Sequence, residues 1–231
     1  MSDANSRVDK FRRKMAQESV DAFLVTTATN WRYVSGFRGD AGSLLITEKS
    51  AYQFTDSRYI EEAEKQAVGF SAVMTTIDGD EVKDTVLREG VKRLAFEKDN
   101  VTYANWEKFK ERFEGVELVG VSGWVEELRM VKTPEEVRLI EKAQDIADDA
   151  FALLTDSIRV GAREIDLALE FEFTMRRMGS DGLAFPIIAV SGERSSLPHG
   201  VPTDAKVQDG DFITFDFGAR YDGYCSDETR T

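Results

Sequence analysis

The sequence predicts an α/β domain followed by an α+β unit made of two long helices and a closing β-hairpin. Three observations carry that prediction. Short apolar runs alternate with helical periodicity over about the first 120 residues, the pattern of helices layered on a sheet. The alternation stops near Ser122-Gly123, and a strong helix start, Thr133-Pro134-Glu135-Glu136, follows. The last stretch, Asp211 to Thr231, then has the alternation and turn residues of a hairpin.

Taken in order, Val8 to Ser19 has helical spacing, with Phe11 and Met15 on one side among Lys, Arg and Gln. Asp21 to Thr27 reads as a buried strand and Asn30 to Val34 as the start of a short helix. Ser35 to Ser43 is a loop; its glycines fit neither phosphate-cradling spacing, G-x-x-x-x-G-K-[ST] nor G-x-G-x-x-G. Strands follow at Leu44 to Thr47 and Ala51 to Thr55, then a helix over Ile60 to Ala67 and a strand over Phe70 to Thr75. A helix from Glu81 to Glu89, a strand at Arg93 to Glu97, a helix over Tyr103 to Phe113 and a strand over Val116 to Val121 complete the first unit. These segments define domains over 1–123 and 124–231. In the second, a short helix spans Val125 to Val131. Thr133 caps a long helix that carries Val137, Ile140, Ala143 and Ala147 on one face and runs towards Ile158. Gly161 breaks the pattern, Arg163 to Met178 forms a second amphipathic helix, and Ile187 to Ser191 forms a strand before the loop Gly192 to Gly200.

Composition removes several function classes. A formal charge of −13 argues against a nucleic-acid backbone as partner. The apolar runs are too short for a membrane span, and the polar start Met-Ser-Asp-Ala-Asn-Ser does not resemble a signal peptide. One cysteine, Cys225, excludes an internal disulfide framework and fits a reducing cytoplasm. The single histidine, His199, excludes a His-rich metal site.

Chemistry concentrates in the hairpin. Asp216 and Asp227 lie eleven residues apart across the Tyr221-Asp222-Gly223 turn signal. With Tyr221-Asp222 as the loop they face each other; with Asp222-Gly223 they are diagonal neighbours. Either register puts both on one face, because side chains alternate along a strand. Like charges so placed cost a few tenths of a kcal/mol up to about 1. A hard divalent cation between them would convert that cost into a site. The alternative is a solvated acidic hairpin. Thr229 and Cys225 share the parity of Asp227; Thr229 reads as a surface threonine ahead of a support for a metal shell, and Cys225 as a packing residue, not a nucleophile. Phe185 reads as a core aromatic or a pocket wall.

Phe185-Pro-Ile-Ile-Ala-Val-Ser-Gly-Glu-Arg-Ser-Ser-Leu-Pro-His199-Gly and Gly210-Asp-Phe-Ile-Thr-Phe-Asp216 to Asp227-Glu-Thr-Arg-Thr together resemble the Xaa-Pro peptidases. These are the prolidase and aminopeptidase P group of the pita-bread metallopeptidases. Asn30-Trp-Arg-Tyr-Val-Ser-Gly-Phe, Thr55-Asp-Ser-Arg-Tyr and Leu128-Arg-Met-Val-Lys-Thr-Pro-Glu-Glu extend the resemblance over the whole chain. It implies a creatinase-like α/β N-terminal domain followed by the first half of an α+β pita-bread catalytic domain. Asp216 matches an aspartate that chelates one metal ion through both oxygens. Asp227 matches one that bridges two ions, commonly manganese, cobalt or zinc. His199 matches a loop histidine that hydrogen-bonds the substrate near the scissile bond. Proline-containing peptides as substrates, a homodimer and a cytoplasmic location are implied with them.

The family site takes a further histidine and two glutamates from later strands. His199 is already matched, and no glutamate follows Glu228. The expectation is therefore a chain truncated within the catalytic domain, or a half needing a partner surface, with weak metal binding and no hydrolysis of its own. Two readings compete: a creatinase-like amidine hydrolase, against which the two aspartates argue, and a non-catalytic pita-bread binding module.

Overall fold

The computed structural model describes residues 3–76 and 80–231; Met1 and Ser2 of the polar start lie outside it. The chain divides between Val131 and Lys132 into two units, each with its own core.

The first unit runs α1 (Asp3–Gln17), β1 (Ala22–Val25), α2 (Ala28–Ser35), β2 (Ser43–Thr47), β3 (Ala51–Thr55), α3 (Ile60–Gln66), β4 (Ser71–Met74), α4 (Glu81–Arg88), β5 (Arg93–Glu97), α5 (Tyr103–Arg112), β6 (Glu117–Val121) and α6 (Trp124–Met130). Its strands form one six-stranded sheet in the order β4-β3-β2-β1-β5-β6. Pairing is antiparallel among β1, β2 and β3 and parallel elsewhere. Strand β1 is buried on both faces. Phe23 and Val25 join Phe11, Trp31, Phe37 and Trp124 on one side, while Ala22 and Leu24 join Phe54, Val86, Phe96 and Phe113 on the other. Helices over both faces explain why the central strands read as continuous apolar runs instead of alternating ones. The boundary placed at Gly123 falls at the start of α6, not at the division between units. Trp124 and Val125 are buried in the first core, with the Trp124 ring 5.0 Å from Phe23.

The second unit begins with α7 (Pro134–Leu154), whose capping box matches the sequence signal. Thr133 Oγ1 accepts the Glu136 N–H at 3.3 Å, and the Glu136 carboxylate accepts the Thr133 N–H at 2.8 Å. Helix α8 (Glu164–Arg177) follows, then β7 (Gly182–Leu183), β8 (Ile188–Ser191), β9 (Ile213–Phe217), β10 (Ala219–Tyr221), β11 (Tyr224–Cys225) and β12 (Glu228–Arg230). Phe151 of α7 and Phe171 of α8 enclose Phe215 and Phe217 of β9, with ring centroids 4.5 Å apart for Phe171 and Phe217 and 5.4 Å for Phe151 and Phe217. Each fully buried ring contributes about 1.5–3 kcal/mol. This cluster holds β9, and with it Asp216, against the helices.

The hairpin expected as one ladder is divided at Gly218. A Cβ there would lie 2.0 Å from the Ser226 carbonyl oxygen. On either side of this close approach β9 pairs with β12 in the sheet β12-β9-β8, and β10 pairs with β11 in the sheet β11-β10-β7.

Candidate metal centre

The turn fixes the register. Tyr221 pairs with Tyr224, leaving Asp222-Gly223 as a two-residue loop with φ of 47° and 81°. Positive φ at both positions is the type I′ turn whose twist suits a hairpin, and Asp-Gly is among its preferred sequences. Of the two registers open from sequence, this is the diagonal one. Asp216 stands opposite Thr229; Asp227 lies just before β12, and the alternation of buried Ser226 and Glu228 with exposed Asp227 and Thr229 keeps it on the Thr229 side.

Asp216 is half-buried and Asp227 exposed. Thr229 Oγ1 donates to Asp216 Oδ1 at 3.0 Å, so this threonine orients the carboxylate instead of merely occupying the surface. Among the described residues, Asp227 has no hydrogen bond or ion pair and Asp216 has no ion pair. Two carboxylates thus share a face with no basic side chain neutralising them. The reverse face is anchored to α7: Gln144 donates to the buried Glu228, which also pairs with Arg230, and Tyr224 Oη donates to Glu136 Oε1 at 2.9 Å.

The loop carrying His199 lies over the carboxylate face. Strand β8 pairs with β9 so that Ile188 stands opposite Asp216 and Val190 opposite Thr214, which puts both side chains on that face. Val190 is nonetheless fully buried, because the loop backbone covers it. A Cβ on Gly200 would come within 2.8 Å of the Val190 side chain, so glycine permits the approach. Thr214 Oγ1 also donates to the Ser195 carbonyl at 3.3 Å. His199 itself is exposed and, among the described residues, makes no hydrogen bond.

One carboxylate not singled out in the sequence organises this loop. Glu164, in the first turn of α8, is 1% exposed. Its Oε1 accepts the Ser191 N–H at 2.8 Å and the Ser191 hydroxyl at 3.3 Å. Its Oε2 accepts the Thr203 N–H at 3.0 Å and the Thr203 hydroxyl at 2.9 Å. Arg194 Nε lies 3.3 Å from Oε2, and Arg194 Nη2 donates to the Val201 carbonyl at 2.6 Å. Burial alone would raise the Glu164 pKa. The donors from Ser191 and Thr203 and the charge of Arg194 outweigh it, and the carboxyl titrates below the usual glutamate range.

The donor set suits part of a hard-cation shell. Two unneutralised carboxylates, one held by a threonine hydroxyl, are oxygen ligands of the kind divalent ions take. Among the described residues no group of three or more His, Cys, Asp or Glu gathers into a metal-binding cluster, so the two stand without further protein ligands. Cys225 has the expected parity but is exposed, not packed, in the edge strand β11. Phe185 is half-buried.

Comparison with known proteins places both units in described families. Residues 7–131 match the creatinase/prolidase N-terminal domain, and residues 138–231 match metallopeptidase family M24. An uncharacterised peptidase of Bacillus subtilis is 43% identical over 97% of this chain and 64% of its own length. A solved Xaa-Pro dipeptidase from Bacillus anthracis superposes with a TM-score of 0.93 at 41% identity, over 98% of this chain and 64% of that one. A prolidase structure from Pyrococcus furiosus gives 0.88 at 31% identity, over 96% and 69%. The chain spans about 64% of the length of the curated relatives it matches first. Among the described residues, no helix is long and apolar enough to cross a membrane.

Proposed function

The chain belongs to metallopeptidase family M24, with a creatinase-like α/β domain ahead of the first half of an α+β pita-bread domain, and from that premise we propose that its protein hydrolyses Xaa-Pro peptide bonds with two divalent metal ions. The supporting observation is the pair Asp216 and Asp227 on one sheet face, unneutralised and beneath the His199 loop.

In this reading Asp216, its rotamer held by Thr229, and Asp227, at the next diagonal position, are the residues that would hold the metal ions. A pair of divalent cations supplies Lewis-acid polarisation of the scissile carbonyl and a nucleophile available at neutral pH. His199 donates an imidazole N–H to charge developing on the substrate. The loop excludes water from the Val190 side of the face. Manganese, cobalt and zinc all suit carboxylate oxygen, and proline-containing peptides are the substrates. The exposed thiol of Cys225 suits a reducing cytoplasm; a homodimer completes the proposal.

With two protein ligands gathered, this chain alone binds metal weakly and does not turn over, because affinity rises with ligand number and preorganisation. The test is hydrolysis of Xaa-Pro dipeptides by the purified chain in manganese or cobalt. No turnover is expected; clear turnover that D216N abolishes would overturn the incompleteness while supporting the site.

A further inference from the structure

We propose that Glu164 is the positioning residue for His199, a buried carboxylate that closes the loop 191–203 over the carboxylate face. The inference rests on the peptidase reading for what His199 does, but its geometry is independent of that reading. Glu164 takes donors from both ends of one segment: Ser191, where β8 ends, and Thr203, where the chain returns to α8. Arg194 bridges the interior, bonding the carboxylate with Nε and the Val201 carbonyl with Nη2. One side chain therefore fixes the entry, the middle and the exit of the loop that carries His199. The backbone runs in step, since Glu164 N–H donates to the Ala205 carbonyl and Ile165 N–H to the Thr203 carbonyl, each at 3.0 Å.

The arrangement costs more than ordinary packing would require. A carboxylate 1% exposed loses its hydration and is retained only where several donors replace it. An apolar residue could fill the same space, yet it would leave the Ser191 and Thr203 amides without these acceptors and free Arg194. Among the described residues, Arg194 is the charged side chain in contact with Glu164; the other donors are neutral. Glu164 is the side chain of α8 that ties both ends of this loop; further contacts, Gly192 N–H on the Phe212 carbonyl at 2.9 Å, Gly200 on Val190 and Thr214 on Ser195, run to the segment and strands beneath it.

Because the chain has one histidine, its imidazole gives a single, unambiguous proton resonance. The experiment compares wild type and E164Q by hydrogen exchange and by broadening of that resonance with Mn²⁺ at millimolar concentration. In E164Q, amide exchange at Ser191 and Thr203 should rise about tenfold while α7 amides stay as they were. Mn²⁺ broadening of the His199 line should weaken several-fold, as the loop that carries the ring loses its anchor over the carboxylate face. Equal acceleration throughout the unit would mark Glu164 as merely structural and overturn the proposal, as would unchanged broadening. If E164Q does not fold, T203V removes the hydroxyl donor to Glu164 together with the acceptor of the Ala205 N–H; faster exchange at Ser191 and through 191–203, beyond Ala205 itself, supports the proposal and no change there refutes it. Absence of broadening in the wild type would sink the metal assignment instead, leaving the exchange result to decide the role of Glu164.

Discussion

Replacing Asp227 by asparagine separates a functional carboxylate from a structural one. Asp227 is exposed and, among the described residues, has no hydrogen bond or ion pair, so the fold takes nothing from its charge. It lies diagonally from Asp216, at about 7–8 Å for such neighbours. Two like charges at that distance repel by about 0.5 kcal/mol in water, and salt screening cuts this to about 0.2 kcal/mol. D227N should therefore leave metal-free stability unchanged or raise it by a few tenths of a kcal/mol. With manganese the order reverses. A site of Kd about 1 mM, at about 10 mM ion, adds RT ln(1 + [L]/Kd), or about 1.4 kcal/mol, to the wild type. For a chain of this length that is about 3–6 °C in Tm. The assay is thermal unfolding of wild type and D227N with and without manganese. A variant destabilised by more than about 1 kcal/mol without metal would show that Asp227 has a structural partner. A variant stabilised by manganese as much as the wild type would show that it is not a ligand.

Other outcomes follow from the same geometry. Phe171→Ala, which empties a fully buried position against Phe217 and Phe215, should cost about 3–5 kcal/mol by denaturant unfolding and loosen β9. Gly218→Ala forces a Cβ to 2.0 Å from the Ser226 carbonyl and should cost about 2–3 kcal/mol, with the β9–β12 amides losing exchange protection first. Glu164 has a depressed pKa, so its contribution is fully present above the ordinary glutamate value and is lost as pH falls through the folded one. The stability gap between wild type and E164Q, about 2–3 kcal/mol at pH 7, should accordingly narrow below about pH 4 in urea titrations; a gap independent of pH would mean that the carboxylate charge contributes nothing.

Much of the site was legible because its signals are local. Strand parity put Asp216 and Asp227 on one face before any register was known, and Asp-Gly marked the turn that the structure uses. The Thr133 capping box was readable for the same reason, since its partners are three residues apart. What escaped depends on long-range closure. Glu164 resembled any acidic residue in a first helical turn, and its partners lie 27 to 39 residues away. The hydrogen bond of Thr229 to Asp216 required the register, and the split at Gly218 required knowing that Ser226 crosses behind it. Helix α6 was placed beyond the boundary because alternation ends at Gly123, whereas Trp124 is needed to complete the first core.

The claim on which the rest depends is that Asp216 and Asp227 bind one metal cluster together, and a Mn²⁺ titration followed by electron paramagnetic resonance tests it most directly. Wild type should show saturable binding with Kd on the order of 1 mM. D216N and D227N should each lose it, and the double variant should lose no more than either, as expected for two ligands of one site. Equal binding by wild type and both single variants would contradict the claim and return the hairpin to a solvated acidic surface.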